Sequence, residues 1–259
     1  MSDSRSTCFK NPKPRFLGYL SASTAAMLLL CSLVACGGAA STKGSGATSP
    51  PVTQSTPRTY NTIFSSNENP ISENSNWING GTVGLDWANV RSAAGRAEGV
   101  GPAAASYSDP TAILAGTWGP DQTVSITVYS NGVEDKASTG YDKEVEIRLR
   151  SFISAHRNTG YEVNCRTPDD SLSYIQIVRW NGALGDFTSL NLVRGMGCKN
   201  GDVLKATISG STIKVYRNET LMLTASDSTF TTGNPGIGFN FGCGSTYDQF
   251  GISSYTATD

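Results

Sequence analysis

The stretch Lys143–Arg150, KEVEIRLR, sets Val145, Ile147 and Leu149 at every second position and fills the others with Glu144, Glu146, Arg148 and Arg150. A period of two predicts a strand with one buried face. Related runs of β-branched and aromatic residues recur along the chain: QTVSITVYS (122–130), TGYEVNCR (159–166), SYIQIVRW (173–180), DVLKATISG (202–210), STIKVYR (211–217), LMLTAS (221–226), PGIGFNF (235–241) and GISSYTA (251–257). Gly, Asn, Asp and Pro separate them, as turns require. Tight hairpins are expected at Ser209-Gly210-Ser211 and at Asn218-Glu219, because asparagine tolerates the left-handed backbone of such turns. From Tyr60 onward no helical periodicity competes with this pattern. About a dozen strands in roughly 200 residues predict an all-β fold, a two-sheet antiparallel β-sandwich forming one domain. A propeller or solenoid is not expected, since no internal repeat is visible.

The N-terminus follows another rule. Residues 1–16 are polar and basic, and LGYLSASTAAMLLLCSLVAC (17–36) is an apolar h-region. Its end, Leu33-Val34-Ala35-Cys36, resembles the lipobox of bacterial lipoproteins. That resemblance implies a signal peptide over residues 1–35, cleavage before Cys36, and acylation of Cys36. Several acyl chains make a stable membrane anchor. Gly37, rather than an aspartate, stands after the cysteine, which points to the outer membrane or the periplasmic face of the envelope. Residues 36–59 then form the lipidated cysteine and a spacer of Gly, Ser, Thr, Pro and Ala, a composition with too little apolar surface to order itself. Residues 60–259 are left as the sandwich domain.

Charge narrows the partners. The whole chain has formal charge −1. Residues 1–35 hold Arg5, Lys10, Lys13 and Arg15 against Asp3, so their removal leaves about −4 by the same count. A mildly acidic chain without basic clusters excludes nucleic acid as the expected partner. A monomer is expected.

The segment NGDVLKATISGSTIKVYRNETLMLTASDSTFTTGNPGIGF (200–239) resembles the C-terminal half of concanavalin A-like lectin/glucanase domains, including their laminin-G-like branch. FSSNENPISENSNWING (64–80) is similar to the opening strand and loop of the same group. The resemblance implies a jelly roll whose concave sheet often holds glycan. It is unspecific for activity, because the group mixes lectins, hydrolases, lyases and adhesion modules.

Parity places Glu144, Glu146, Arg148 and Arg150 on one strand face, Glu162, Asn164 and Arg166 on the next, and Tyr174, Gln176 and Trp180 on a third, with Val178 an exception. If these strands are neighbours, one surface combines carboxylates, guanidiniums, amides and rings, the mixture that binds sugars. The alternative reading is a solvated face held by cross-strand Glu–Arg pairs, contributing about 0–1 kcal/mol each. The ligand expected on the first reading is a polysaccharide or oligosaccharide, bound without turnover. Glucanases of this fold carry an E-x-D-x-x-E strand, but here arginine stands where the later acids belong, and flanking arginines are expected to hold both glutamates ionised. VEIRLR resembles the E-L-R strand of jelly-roll alginate lyases at Glu146 and Arg148, and YIQIVRW their Q-I-H strand at Gln176 and Ile177; Val178 replaces the histidine. The lone His156 is expected on the surface. An enzyme or an adhesion module is the alternative to a lectin.

Cys165, Cys198 and Cys243 remain in the mature domain. Cys165 and Cys198 are expected to pair, with Cys243 free or a partner of either. No cofactor and no metal is assigned: no zinc spacing exists, and Asp86, Asp121, Asp202, Asp227 and Asp248, the loop acids available to calcium, are expected to cap turns. At least two of Trp77, Trp87 and Trp118 are expected in the core.

Overall fold

A computed structural model describes residues 57–100, 108–132, 143–167, 169–240 and 248–259. The expected signal peptide, Cys36 and most of the expected spacer, and also Cys243, lie outside the described residues.

The strands are β1 (Thr59–Thr62), β2 (Trp77–Asn79), β3 (Val90–Ala93), β4 (Arg96–Gly99), β5 (Thr111–Leu114), β6 (Gln122–Ser130), β7 (Glu144–Ser154), β8 (Arg157–Arg166), β9 (Tyr174–Gly182), β10 (Phe187–Arg194), β11 (Val203–Ser209), β12 (Thr212–Arg217), β13 (Thr220–Ser226), β14 (Asn234–Asn240) and β15 (Phe250–Thr258). They form two antiparallel sheets. An eight-stranded sheet runs β13-β12-β11-β6-β15-β4-β3, with β1 also on β15, and a seven-stranded sheet runs β10-β9-β8-β7-β14-β5-β2. All-β, two-sheet and antiparallel, this is the concanavalin A-like jelly roll.

The period-two pattern does what it predicts between the sheets. Val145, Ile147 and Leu149 on β7, Val163 on β8, and Ile175 and Ile177 on β9 are fully buried against Val124, Ile126 and Val128 of β6 and the inner face of β11 and β12. Each such side chain stabilises the fold by about 1.5–3 kcal/mol through apolar burial. Trp77 and Trp118 join this core, as expected of two of the tryptophans, while Trp87 belongs to a second cluster described below.

The hairpin turns stand where turn chemistry puts them. Asn218 and Glu219 take φ of 50° and 63° between β12 and β13, and the Asn218 side chain ties that turn to Val203 and Asp202 at 2.9 and 2.8 Å. Asp121, Asp202 and Asp227 accept backbone N–H groups of Gly210, Lys199 and Thr229, so these acids cap turns. Arg58 and Thr59, placed in the spacer by composition, belong to the sandwich: β1 pairs with β15 from Thr59 onward, and the Arg58 guanidinium lies 4.5 Å over the Trp118 ring. Cys165 on β8 is disulfide-bonded to Cys198, just ahead of β11. Strands β1 to β5 and β10 escaped the sequence reading, the first five because they hold only three or four residues each.

Candidate functional site

Register brings the sequence-predicted residues together. Arg148 faces Glu162 and Glu146 faces Asn164 across β7 and β8, and Asn164 and Glu162 face Gln176 and Val178 across β8 and β9. On the other side of β7, Gly236 and Gly238 of β14 stand opposite Arg148 and Glu146. A Cβ at Gly238 would overlap Glu146 Oε2 and crowd the Arg148 guanidinium. The PGIGF run therefore serves the neighbouring strand: its glycine leaves the space that two long charged side chains fill.

The face is not open. The sequence predicts a hollow accessible to ligand, but Glu146 and Arg148 are 0 % exposed, and Glu144, Glu162, Asn164, Arg166, Tyr174 and Trp180 are 5 % exposed or less. The cover is Leu85 and Trp87, which form a second apolar cluster with Ile113, Ile153, Val178 and Trp180 of the sheet beneath. Leu85 and Trp87 follow a single 3-10 turn, Gly81–Val83, that is pinned to the sheet by Gly80 N–H donating to Thr111 O at 2.9 Å. Gly84 O in turn accepts from His156 N–H at 3.0 Å. The His156 ring itself is exposed, as expected, and contacts Asp86 at 2.7 Å.

Beneath this cover lies a charged network. Arg148 is ion-paired with Glu146 and, at 2.5 Å, with Glu162. Glu162 also accepts from Trp180 Nε1 at 2.5 Å and from Asn164 Nδ2 at 2.9 Å. The indoles of Trp87 and Trp180 meet edge-to-face at 4.6 Å, and their centroids lie 5.6 and 5.7 Å from the guanidinium carbon. Cation–π attraction is strongest where water is excluded. Asp109, ahead of β5, completes the group: one oxygen each from Asp109, Glu146 and Glu162 falls within 4.8 Å of the others.

The arginines do not keep both glutamates in the ordinary acid range. Burial first, and then the neighbouring Glu162 carboxylate, raise the Glu146 pKa well above its usual value, outweighing the opposite pull of Arg148. The expectation that flanking arginines hold it down is corrected on this point. A charge removed from water loses more solvation than one ion pair returns.

Two candidate arginines sit elsewhere. A β-bulge between Leu149 and Phe152 shifts the register on β8, and Arg150 within it has φ of 46°. Its guanidinium leaves the Glu146–Arg148 row and donates to Pro120 O at 2.5 Å and Phe230 O at 3.0 Å, closing one end of the sandwich. Strict alternation could not reveal this, because the bulge inserts a residue into the count. Arg166 donates to Asp170 at 2.8 Å and Ser173 at 3.0 Å, holding the loop before β9.

One part of the same face stays open. Of the predicted residues, Gln176 is partly exposed, and its Nε2 donates to exposed Ser189 of β10 at 2.8 Å. Phe187, 38 % exposed, faces Trp180 across β9 and β10 with ring centroids 5.3 Å apart. Leu192 and Arg194 face Gln176 and Tyr174 in the same register. Sequence reasoning missed this strip because β10, FTSLNLVR, loses its alternation at a bulge between Ser189 and Asn191.

Among solved structures, the exoplasmic/lumenal domain of VIP36 in its Ca2+/Man-bound form is 13 % identical, covering 76 % of this chain and 88 % of that one at a TM-score of 0.51. The carbohydrate recognition domain of Emp46p in its potassium-bound form is 12 % identical, covering 76 % and 94 % at a TM-score of 0.50. The carbohydrate binding module CBM66 from Bacillus subtilis is 17 % identical over 73 % and 95 % at 0.46. At these identities the likeness is one of fold. No family model matches the sequence, and no curated protein does.

Proposed function

We propose that this chain is a carbohydrate-binding module held on the bacterial envelope by a lipid on Cys36, and that it binds oligosaccharide or polysaccharide without turning it over. The observation that carries the reading is the open strip over β9 and β10. An exposed ring, Phe187, is backed by Trp180, next to the amide–hydroxyl pair Gln176–Ser189, with exposed Arg194 at the far end of the same strand. Rings stack on the C–H faces of sugars, and planar polar groups take hydroxyls in pairs. The fold is shared with carbohydrate recognition domains, which supports the class of ligand and leaves the sugar unnamed. The buried arginine network adjoins the strip on the same face, where Glu162 accepts from Trp180 Nε1, the ring that backs Phe187.

A glycan array probed with the full chain in detergent tests the reading. Phe187→Ala is expected to weaken any hit at least about tenfold, the worth of one well-placed aromatic contact, with Tm within a few degrees of the parent. An array without hits, or hits that Phe187→Ala leaves unchanged, overturns it. For the anchor, Cys36→Ser is expected to move the protein from the membrane pellet to the soluble fraction; retention in the pellet removes the lipid from the account.

An enzymatic reading has one observation in its favour. Glu146, with its raised pKa, and Glu162 are both ion-paired to Arg148, and two neighbouring carboxylates are the groups used in acid–base work on glycosides. Both are sealed from substrate in this structure. Release of reducing ends or unsaturated products from an array hit would favour a hydrolase or lyase over a lectin.

A further inference from the structure

Ten arginines lie among the described residues. Seven are ion-paired with carboxylates of the same chain, and Arg58 donates to Thr117 O at 3.2 Å. The remaining two, Arg157 and Arg194, are exposed, and among the described residues their side chains have neither an ion pair nor a hydrogen bond. Water satisfies an exposed guanidinium, so neither arginine is unusual alone.

Their placement is what counts, because both border the open strip over β9 and β10, at opposite ends. Arg194 closes β10 and is paired in register with Tyr174, the first residue of β9. Arg157 opens β8 beside Gly182, the last residue of β9, where an added Cβ would meet the arginine Cγ at 3.9 Å. Between these ends stand Phe187 against Trp180 and the Gln176–Ser189 pair. The acids beside the strip are already engaged. Glu162 is ion-paired with Arg148 beneath the cover, and Asp186 accepts from Asn181 Nδ2 at 3.0 Å. The nine residues of β9 span about 26 Å, the length of several sugar rings.

On the sugar-binding reading above, we propose that the strip takes an extended anionic polysaccharide. Arg157 and Arg194 each hold a carboxylate or sulfate group of the chain, while Phe187 stacks on a ring between them. A guanidinium fork matches two oxygens of either anion, whereas a neutral chain offers it only hydroxyls. Two cations one strand length apart also select for length. A short oligomer reaches one of them and a long one reaches both, and the second contact then forms within a complex already made. The chain without residues 1–35 is acidic overall, so a polyanion bound here is held by local cations and not by net charge.

The test measures binding of the full chain in detergent to two matched pairs of polymers. Polygalacturonate is set against its methyl ester, and dextran sulfate against dextran, which separates carboxylate from sulfate. At least one acidic polymer is expected to bind more tightly than its neutral counterpart and to lose affinity as salt rises. Arg157→Gln and Arg194→Gln are each expected to weaken that binding about threefold, the order for one exposed ion pair, with Tm within a few degrees of the parent. Lys214→Gln removes an exposed cation from β12 in the other sheet and should leave binding as it was. Oligomers of the bound polymer are expected to gain affinity with length until they span β9, and the gain should vanish when both arginines are replaced. A neutral polymer that binds as tightly as its acidic counterpart, needing Phe187 and neither arginine, overturns the assignment of charge and leaves the sugar-binding reading standing. Failure of both acidic polymers also overturns it, and the glycan array decides the sugar-binding reading separately. A loss in Lys214→Gln equal to that in the arginine variants would mean general charge attraction and would overturn it as well.

Discussion

Arg148→Ala is expected to destabilise the domain by about 3–5 kcal/mol, the range for removing one partner of a buried ion pair. The guanidinium is 0 % exposed and meets Glu146, Glu162 and two indoles. Without it, two buried carboxylates lose their cation, and the room that Gly238 leaves beside it becomes a void. Urea unfolding of the variant against the parent measures the loss, and a difference below about 1 kcal/mol would mean that the guanidinium compensates little. Set beside Phe187→Ala, the result separates two roles on one sheet face. Arg148 is expected to change stability greatly, whereas Phe187 is expected to change binding with little effect on stability. An open hollow would have reversed the first of these outcomes.

The second large effect is covalent. Replacing both Cys165 and Cys198 by alanine is expected to cost about 4 kcal/mol. The bond closes a loop with a sequence separation of 33 residues, and the loop-entropy estimate for that length is about 3.7 kcal/mol. Both sulfurs are fully buried in the inter-sheet core, so the alanine pair also gives up a little apolar contact. Denaturant unfolding of oxidised parent, reduced parent and the double variant should place the last two together, well below the first. If all three unfold at the same midpoint, the cross-link contributes nothing to stability under those conditions.

The two cases differ in how readable they were. Cys165 and Cys198 were paired from their places at a strand end and before a turn, and the structure joins them. The charged row was placed correctly on one face, since Glu146, Arg148, Glu162 and Asn164 are neighbours in register. Its exposure was not readable. Glutamate and arginine alternating with valine and isoleucine look the same whether water or Trp87 lies above them. The cover comes from residues 80–87, some 60 positions earlier in the chain, and nothing in KEVEIRLR records it. Arg150 failed for a local reason: a bulge, invisible to a count by twos, sends it to Pro120 and Phe230. The strip on β10 was missed for a related one, its alternation being broken between Ser189 and Asn191.

By itself, the chain determined its longer strands, β6 to β9 and β11 to β15, its hairpin turns, and the side of those strands that meets the opposing sheet. Those depend on backbone period and on turn residues, which are properties of neighbours in sequence. Only the tertiary structure decided which charges are sealed, which arginine leaves the row, and where the face stays open. Desolvation is set by whatever packs overhead, and here that is brought in from distant parts of the chain.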